Sequence, residues 1–312
     1  MDYDIFDKVG QIRYELHKKI IGNEKVIDDI LICLFSGGHI LLESSPGMGK
    51  TMLSKTLSQT LNMSFKRVQC TPDLLPKDVL GELTMEARIG GMHFRPGPIF
   101  TNILLIDEIN RAQPKTQSAF LQAMEEKSVT LAGENHQLPD PFLVIATQNP
   151  IEQVGTNELP EAQKDRFMLK TRMDYLNAKQ EKTVMDMNMV DVEVEHVFAP
   201  EEIVGIRKEI LSNIKISEIN KEYIISIVMA TRKRDEVSEG GGASTRANVQ
   251  FLKAVKARAF INGRDYVTTE DVTAMALPVL RHRIRVVADK NDYGYTSDEL
   301  ISDILRIIPS PK

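Results

Sequence analysis

The stretch His39-Ile-Leu-Leu-Glu-Ser-Ser-Pro-Gly-Met-Gly-Lys-Thr51 decides how the chain is read. An apolar run, residues 40–42, enters a loop of small residues, and a helical pattern over residues 52–61 begins directly behind it. In that order the loop N–H groups and the helix N-terminus converge on one point and form a concave, partly positive anion site. Ser45, Pro46, Gly47, Met48, Gly49, Lys50, Thr51 and Met52 are therefore the candidate nucleotide-binding residues. Lys50 would reach the β- and γ-phosphates, and the Thr51 hydroxyl would coordinate Mg²⁺. A bare Gly-Lys-Ser/Thr arises by chance in roughly one chain in six or seven of this length. The strand before it and the helix behind it give it force. The pattern usually opens on glycine, and here Ser44 stands at that position. Serine disfavours a positive φ, so nucleotide affinity is the property this departure touches.

A second apolar run, residues 102–106, ends in Asp107-Glu108. Two acids at the end of such a strand suit nucleotide hydrolysis: Asp107 to hold Mg²⁺, usually through water, and Glu108 to polarise the attacking water. A helix N-terminus also favours acids, a reading that the nearby phosphate loop displaces. The next apolar run ends at Ala146-Thr-Gln-Asn149, so Asn149 brings an amide to the same edge, suited to orienting that water. Asn149-Pro150 equally makes a good turn. Arg166 closes a helical stretch before the fifth strand, and Arg246 opens a helix behind glycines 240–242. An arginine reaching a γ-phosphate in the transition state adds roughly 10³ to 10⁵ in rate. Spacing alone leaves an ordinary ion pair open for both.

Outward from these motifs, Ile5, Val9, Ile12 and Leu16 mark an amphipathic first helix, and residues 20–23 separate it from a second that runs to about residue 35. Strands at 40–42, 65–70, 103–106, 143–146 and 168–173 alternate with helical or hairpin segments. That alternation predicts a five-stranded, mostly parallel sheet covered on both faces, with ligands at the carboxyl ends of the strands. Residues 81–94 and 129–138 read as β-hairpins, either edge decoration or protruding contacts. Past residue 176 helical stripes dominate, at 203–210, 224–231, 249–260 and 272–280, with a Thr268-x-x-Asp271 capping box. The division expected is an αβ core over residues 1–194 and a small all-helical domain over 195–312. A polar helix joins them, and its Met185, Met187 and Met189 read as packing filler.

With 42% hydrophobic and 27% charged residues, the 312-residue chain has the composition of a soluble globular protein. No apolar run approaches the ~20 residues of a membrane span, and the acidic N-terminus is unlike a signal peptide. A cytoplasmic protein is expected. A net charge of −5 gives no general drive toward nucleic acid. The basic stretches Thr231-Arg-Lys-Arg234 and Arg281-His-Arg-Ile-Arg285 read as solvated or phosphate-facing helix surfaces. Cys33 and Cys70 sit in apolar surroundings as buried reduced thiols, and the six histidines form no zinc-binding cluster.

The stretches LLESSPGMGKT, ILLIDEINRAQPKTQSAFLQAMEE, ATQNP, LPEAQKDRF, GASTRA, GRDYVTTEDV and VLRHRI span residues 40 to 285, and together they resemble the MoxR family of AAA+ ATPases. The resemblance implies a P-loop αβ core with a helical lid, one hairpin inserted in the second core helix and another before the water-orienting strand. It implies ATP hydrolysis with Mg²⁺. It makes Asn149 the first sensor, Arg246 a lid sensor that draws the lid onto the core through the γ-phosphate, and Arg166 a finger reaching a neighbouring subunit's nucleotide. It further implies a homo-oligomer, typically a hexameric ring. Such a ring would remodel or mature client proteins in a chaperone-like way, often clients with von Willebrand factor A domains, sometimes by metal or cofactor insertion. The alternative is a nucleic-acid-associated AAA+ motor of the helix-2-insert type. Against it, the hairpins carry only Arg88 and His93 in one, and His136 beside Glu134 in the other, too few cations for backbone phosphates. A GTP switch lacks an Asn/Thr-Lys-x-Asp motif, and intact Lys50, Asp107 and Glu108 argue against a catalytically silent ring.

Overall fold

Short apolar runs with no polar alternation can pair only where both faces are covered, and this chain builds the centre of its sheet from three of them, flanked on either side by a strand that carries charges. The computed structural model describes residues 3–85, 92–131, 133–149, 157–187, 192–287 and 294–311. In chain order the strands are β1 (Ile40–Glu43), β2 (Phe65–Gln69), β3 (Gly81–Met85), β4 (Met92–Pro96), β5 (Ile103–Asp107), β6 (Ser128–Leu131), β7 (Glu134–Gln137), β8 (Leu143–Gln148) and β9 (Leu169–Arg172). Five of them form the expected parallel sheet, in the order β2-β5-β8-β1-β9. Successive residues face opposite sides. Ile40, Leu42, Ile103, Leu105, Leu143 and Ile145 therefore join one apolar cluster, while Leu41, Leu104, Ile106, Val144 and Ala146 join another. Pairing sets Ile106 beside Ala146 and Glu43 beside Gln148, so β1, β5 and β8 end together.

The first face is covered by α1 (Tyr3–His17), α2 (Glu24–Ser36) and α3 (Lys50–Thr60), the second by α5 (Pro114–Glu126). Val9, Ile12 and Leu16 of α1 are buried as their spacing predicts. The α2 helix is buried along most of its length, because helices from the C-terminal half cover the side that the sheet does not. Two of them do so, α8 (Pro200–Asn213) and α10 (Thr245–Ile261), while α9 (Glu218–Ala230) and α11 (Thr269–Leu280) pack against α10. Phe260 of α10 meets Phe35 of α2 edge-on, centroids 5.1 Å apart. One continuous core therefore runs from α1 and α2 into the C-terminal helices.

Both hairpins are present, β3 with β4 and β6 with β7. They are not independent decorations, since Phe94 stacks on His136 across them at 4.1 Å. The first hairpin follows α4 (Pro76–Leu80) and extends to Pro96, which adds Arg95 to its charges; Arg88 lies outside the described residues.

Three sequence readings need correction. Arg281, His282 and Arg283 are buried rather than solvated. Each is paid for by a partner: Asp298 at 3.1 Å for Arg281, the Phe167 carbonyl at 2.9 Å for His282, and Asp165 at 2.7 Å for Arg283. Met185, on α7 (Ala178–Met187), is 71% exposed and not core filler, Met187 is half-buried, and Met189 lies outside the described residues. A last helix, α12 (Ser297–Ile307), escaped the sequence reading although Thr296 and Glu299 form a capping box and Leu300, Ile301 and Ile304 fill its inner face. The two cysteines are free and buried. Among the described residues no helix is long and apolar enough to cross a membrane.

The capping box at α11 became a larger device than the sequence suggested. Asp271 is fully buried and receives Arg264 through two 2.7 Å hydrogen bonds, the Thr268 N–H at 2.8 Å, and Arg258 at 3.2 Å. Burial pushes its carboxyl up, but Arg264 and Thr268 outweigh that and hold it below its usual 3.8. A depressed folded-state value means the stabilisation is complete above the unfolded carboxylate's titration and disappears as pH falls through the folded one. Asp271→Ala leaves a guanidinium unpaired and is expected to destabilise the fold by about 3–5 kcal/mol. Urea midpoints measured down to acid pH check this: the wild-type advantage over Asp271→Asn should shrink only below about pH 4.

Candidate functional site

The phosphate loop leaves β1 at the edge where the strands end together. Gly47 and Gly49 both have φ 80°, a left-handed conformation that glycine alone adopts without strain. Ser44 needs no such conformation. Its N–H donates to the Gln148 carbonyl at 3.1 Å, extending the β1–β8 ladder, and its side chain is buried, so the backbone does not call for glycine there. Helix α3 starts at Lys50 with no side-chain cap, which leaves its first N–H groups, on Lys50, Thr51 and Met52, to an incoming anion. Ser45, Pro46 and Met48 complete the turn. The Lys50 ammonium donates to the Ser45 carbonyl at 3.2 Å and stands 3.9 Å from Asp107 Oδ1.

Both acids of β5 are held by hydrogen bonds from two neighbouring strands. Asp107 Oδ1 accepts the Thr147 hydroxyl at 2.7 Å, and Oδ2 accepts Arg67 Nε and Nη2 at 3.1 and 2.7 Å. The same Thr147 hydroxyl accepts the Glu108 N–H at 2.9 Å, so one buried threonine fixes both acids. Glu108 has φ 56°, unusual outside glycine, and its Oε2 accepts Gln69 Nε2 and Arg111 Nη1, each at 3.0 Å. Asn149 follows directly on β8 at this edge. Behind it the fully buried Gln117 amide donates to the carbonyls of Ile109, Ala112 and Asn157, bracing the loop after Glu108. Thr147, Arg67, Gln69 and Gln117 were missed because the sequence reading took only strand ends. Residues 67 and 69 share a face two apart on β2, and that was the available signal.

A carboxylate offers about four acceptor directions, so Asp107 keeps capacity for one water beside its present partners. One hydroxyl and one carboxylate acting through water, with phosphates completing the shell, is how Mg²⁺ is usually bound. The donor set Thr51 and Asp107 fits that ion.

Beside the loop lies a cavity of about 260 Å³ with walls from Ile20, Ile21, Met48, Met52, Met173 and Leu176. Apolar walls with few polar groups suit a flat heteroaromatic ring. The sequence reading had taken residues 20–23 only as a helix break.

Arg166 and Arg246 sit elsewhere. Arg166 Nε is 2.7 Å from Glu125 Oε2, and Arg246 Nη2 is 2.7 Å from Glu125 Oε1. They line a second cavity, about 230 Å³, together with Gly38 and His39 at the entrance of β1. The phosphate loop is at the exit of that strand, and four residues at ~3.3 Å each separate the two ends. Arg246, expected as a lid sensor, stands with Arg166 at the strand-entrance end, away from the phosphate loop of its own chain. The physical reason is Asp165. Its carboxylate takes the buried Arg283 at 2.7 Å and the Ser244 hydroxyl at 3.2 Å, pinning the start of α10 to the segment that carries Arg166. The Arg166 N–H is the main cause that holds the Glu125 carboxyl below its ordinary range, against weak desolvation. Pairs this exposed contribute about 0.2–1 kcal/mol each, so they exchange readily.

Residues 39–169 match the ATPase family associated with various cellular activities (AAA), and residues 230–304 match the AAA lid domain. The chain is 39% identical to the uncharacterized protein YeaC of Bacillus subtilis, over 99% of this chain and 96% of that protein. It is 35% identical to Chaperone MoxR1 of Mycobacterium tuberculosis, over 96% and 81% of the two chains. Protein MoxR of Paracoccus denitrificans is 29% identical over 91% of each. A crystal structure from Cytophaga hutchinsonii, provisionally described as an ATPase, superposes with a TM-score of 0.91 at 39% identity, over 99% of this chain and 96% of that one.

The wall of the apolar cavity offers a direct check. Gly22 has φ +67°, and a Cβ there would come within 2.9 Å of Leu176 and 2.8 Å of the Gln180 amide. Gly22→Val adds left-handed strain of about 1–2 kcal/mol and pushes α7 away from the cavity. Titration with a fluorescent adenine nucleotide should show weakened binding, with the far-ultraviolet circular dichroism unchanged.

Proposed function

The chain belongs to the MoxR family of AAA+ ATPases, and we propose on that footing that it hydrolyses Mg-ATP in a homo-oligomeric ring to remodel or mature client proteins. The observation that carries the hydrolytic part is the Asp107–Thr147–Glu108 arrangement beside Lys50. In this reading residues 45–52 hold the phosphates and Lys50 neutralises their charge. The apolar cavity at Ile20 and Met52 takes the base. Thr51 and, through water, Asp107 would hold Mg²⁺, which would supply positive charge to the phosphates. Glu108 is the base that takes a proton from the attacking water, and Asn149 orients that water. Gln69 and Arg111 hold the Glu108 carboxylate aside until a nucleotide recruits it.

Arg166 and Arg246 serve a neighbouring chain. Support comes from their position: both stand at the strand-entrance edge, away from their own phosphate loop, and they share one carboxylate. A developing negative charge on a neighbour's γ-phosphate would be met by two guanidinium groups rather than one. We take residues 1–194 as the nucleotide-binding core and 195–312 as the lid, a cytoplasmic machine in which the stacked hairpins face the client. Clients with von Willebrand factor A domains, and metal or cofactor insertion into them, belong to this proposal through the motif resemblance alone; the relative named Chaperone MoxR1 supports the chaperone-like role.

The test uses three variants of the full chain. Lys50→Ala should lose nucleotide binding, and Glu108→Gln should bind ATP without turnover. Arg166→Ala should bind ATP normally yet lose most turnover, and mixing it with Lys50→Ala should restore part of the activity, because mixed rings hold interfaces where an intact loop faces an intact finger. Wild-type specific activity should rise with protein concentration as chains associate. Flat specific activity across a dilution series that dissociates the ring would refute the trans assignment.

A further inference from the structure

The cavity of about 230 Å³ at the strand-entrance edge holds an unbalanced set of charges. Arg166, Arg246, Lys127 and Lys253 line it with a single acid, Glu125. Both arginines already share that acid, one on each oxygen. The Lys127 and Lys253 ammonium groups have no hydrogen-bond or ion-pair partner among the described residues. The Gln250 side chain, one turn before Lys253 on α10, lines the same space, and its carbonyl oxygen is buried without a partner. Four cations around one carboxylate leave a net positive basin, and such a basin attracts a polyanion.

We propose that Glu125 is the resident anion of this cavity, displaced when the terminal phosphates of a nucleoside triphosphate held by a second copy of the chain reach the two arginines, and that Lys127 and Lys253 join those arginines as phosphate contacts. This rests on the trans reading of Arg166 and goes further in two respects: it adds Lys127 and Lys253 as phosphate contacts, and it gives Glu125 a competing role. Until a neighbour docks, the carboxylate fills the place between the two guanidinium groups and keeps them aimed at one point. On docking, a phosphate group with more charge and more acceptor oxygens takes the same forked donors. Glu125 sits in the last turn of α5.

The experiment separates the cavity from the phosphate loop by working in the Lys50→Ala chain, where the loop's own lysine is gone. Inorganic tripolyphosphate is titrated into this protein by calorimetry. Binding is expected, and it should tighten by about threefold to tenfold in Lys50→Ala/Glu125→Gln, the worth of two exposed ion pairs. It should be lost in Lys50→Ala/Lys127→Gln/Lys253→Gln. In the chain with Lys50 intact, Lys127→Gln/Lys253→Gln should lower kcat in the assembled protein while leaving the Kd for ATP unchanged. Tripolyphosphate affinity that is insensitive to Glu125→Gln, or that survives loss of both lysines, overturns the proposal. Should Arg166→Ala keep full turnover, the trans reading fails on its own, and the calorimetry still decides whether the cavity is an anion site.

Discussion

The hydroxyl of Thr147 adds a polar side-chain link to two strands otherwise joined by backbone hydrogen bonds and apolar packing, and the hydrolytic geometry hangs on it. It donates to Asp107 and accepts from the Glu108 N–H, so β5 cannot slide against β8 without breaking both contacts. A one-residue slip would also turn every side chain of the strand to the opposite face, moving Leu105 and Ile106 between the two cores. Core packing and site geometry are thus fixed by the same register. The left-handed backbone at Glu108 is held in place by this pairing, and strain of this kind persists only where the surroundings over-determine it.

Much of this was legible in the sequence. The five strands, the phosphate loop, the acids at the end of β5 and both hairpins each carry a local signature, since period, turn residues and strand-end polarity depend on neighbours a few positions apart. The α11 capping box is of the same kind. What could not be read depended on partners far along the chain. Arg281, His282 and Arg283 look like a solvated basic patch until Asp165, Phe167 and Asp298 are brought beside them. Arg246 follows a glycine run that suggests a hinge, and nothing local reveals that Asp165 and Glu125 hold it beside Arg166. The helix Ser297–Ile307 had a readable cap and was simply passed over. Arg67 and Gln69 show a middle case, because their spacing on β2 was visible while their partners on β5 were not.

Both ends of the sheet are tied to the C-terminal helices, and the buried Arg283 makes the tie at one of them. Its guanidinium reaches the carboxylate of Asp165 and the carbonyls of Phe167 and Met168, which locks the strand-entrance edge to the C-terminal helices. A buried charge of this kind is costly to leave unpaired, so the contact resists any motion that would separate these parts. The tie at the strand-exit edge is more exposed: Arg172 joins Glu43 to Asp298 of the last helix at 2.9 and 3.2 Å. Of the two, the buried contact at the entrance edge is the costlier to break.

The β2 strand has a further consequence. It is the outermost strand on its side of the sheet, and an open edge presents unpaired peptide groups to any extended chain that comes near. Here that strand carries Lys66 and Arg67, both exposed, and charges on an edge discourage a foreign strand from adding to it. Arg67 thus keeps a charge on that border as well as steadying Asp107. Replacing the pair by apolar residues would be paid for in solubility, because the sheet would gain an adhesive border where it now has a charged one.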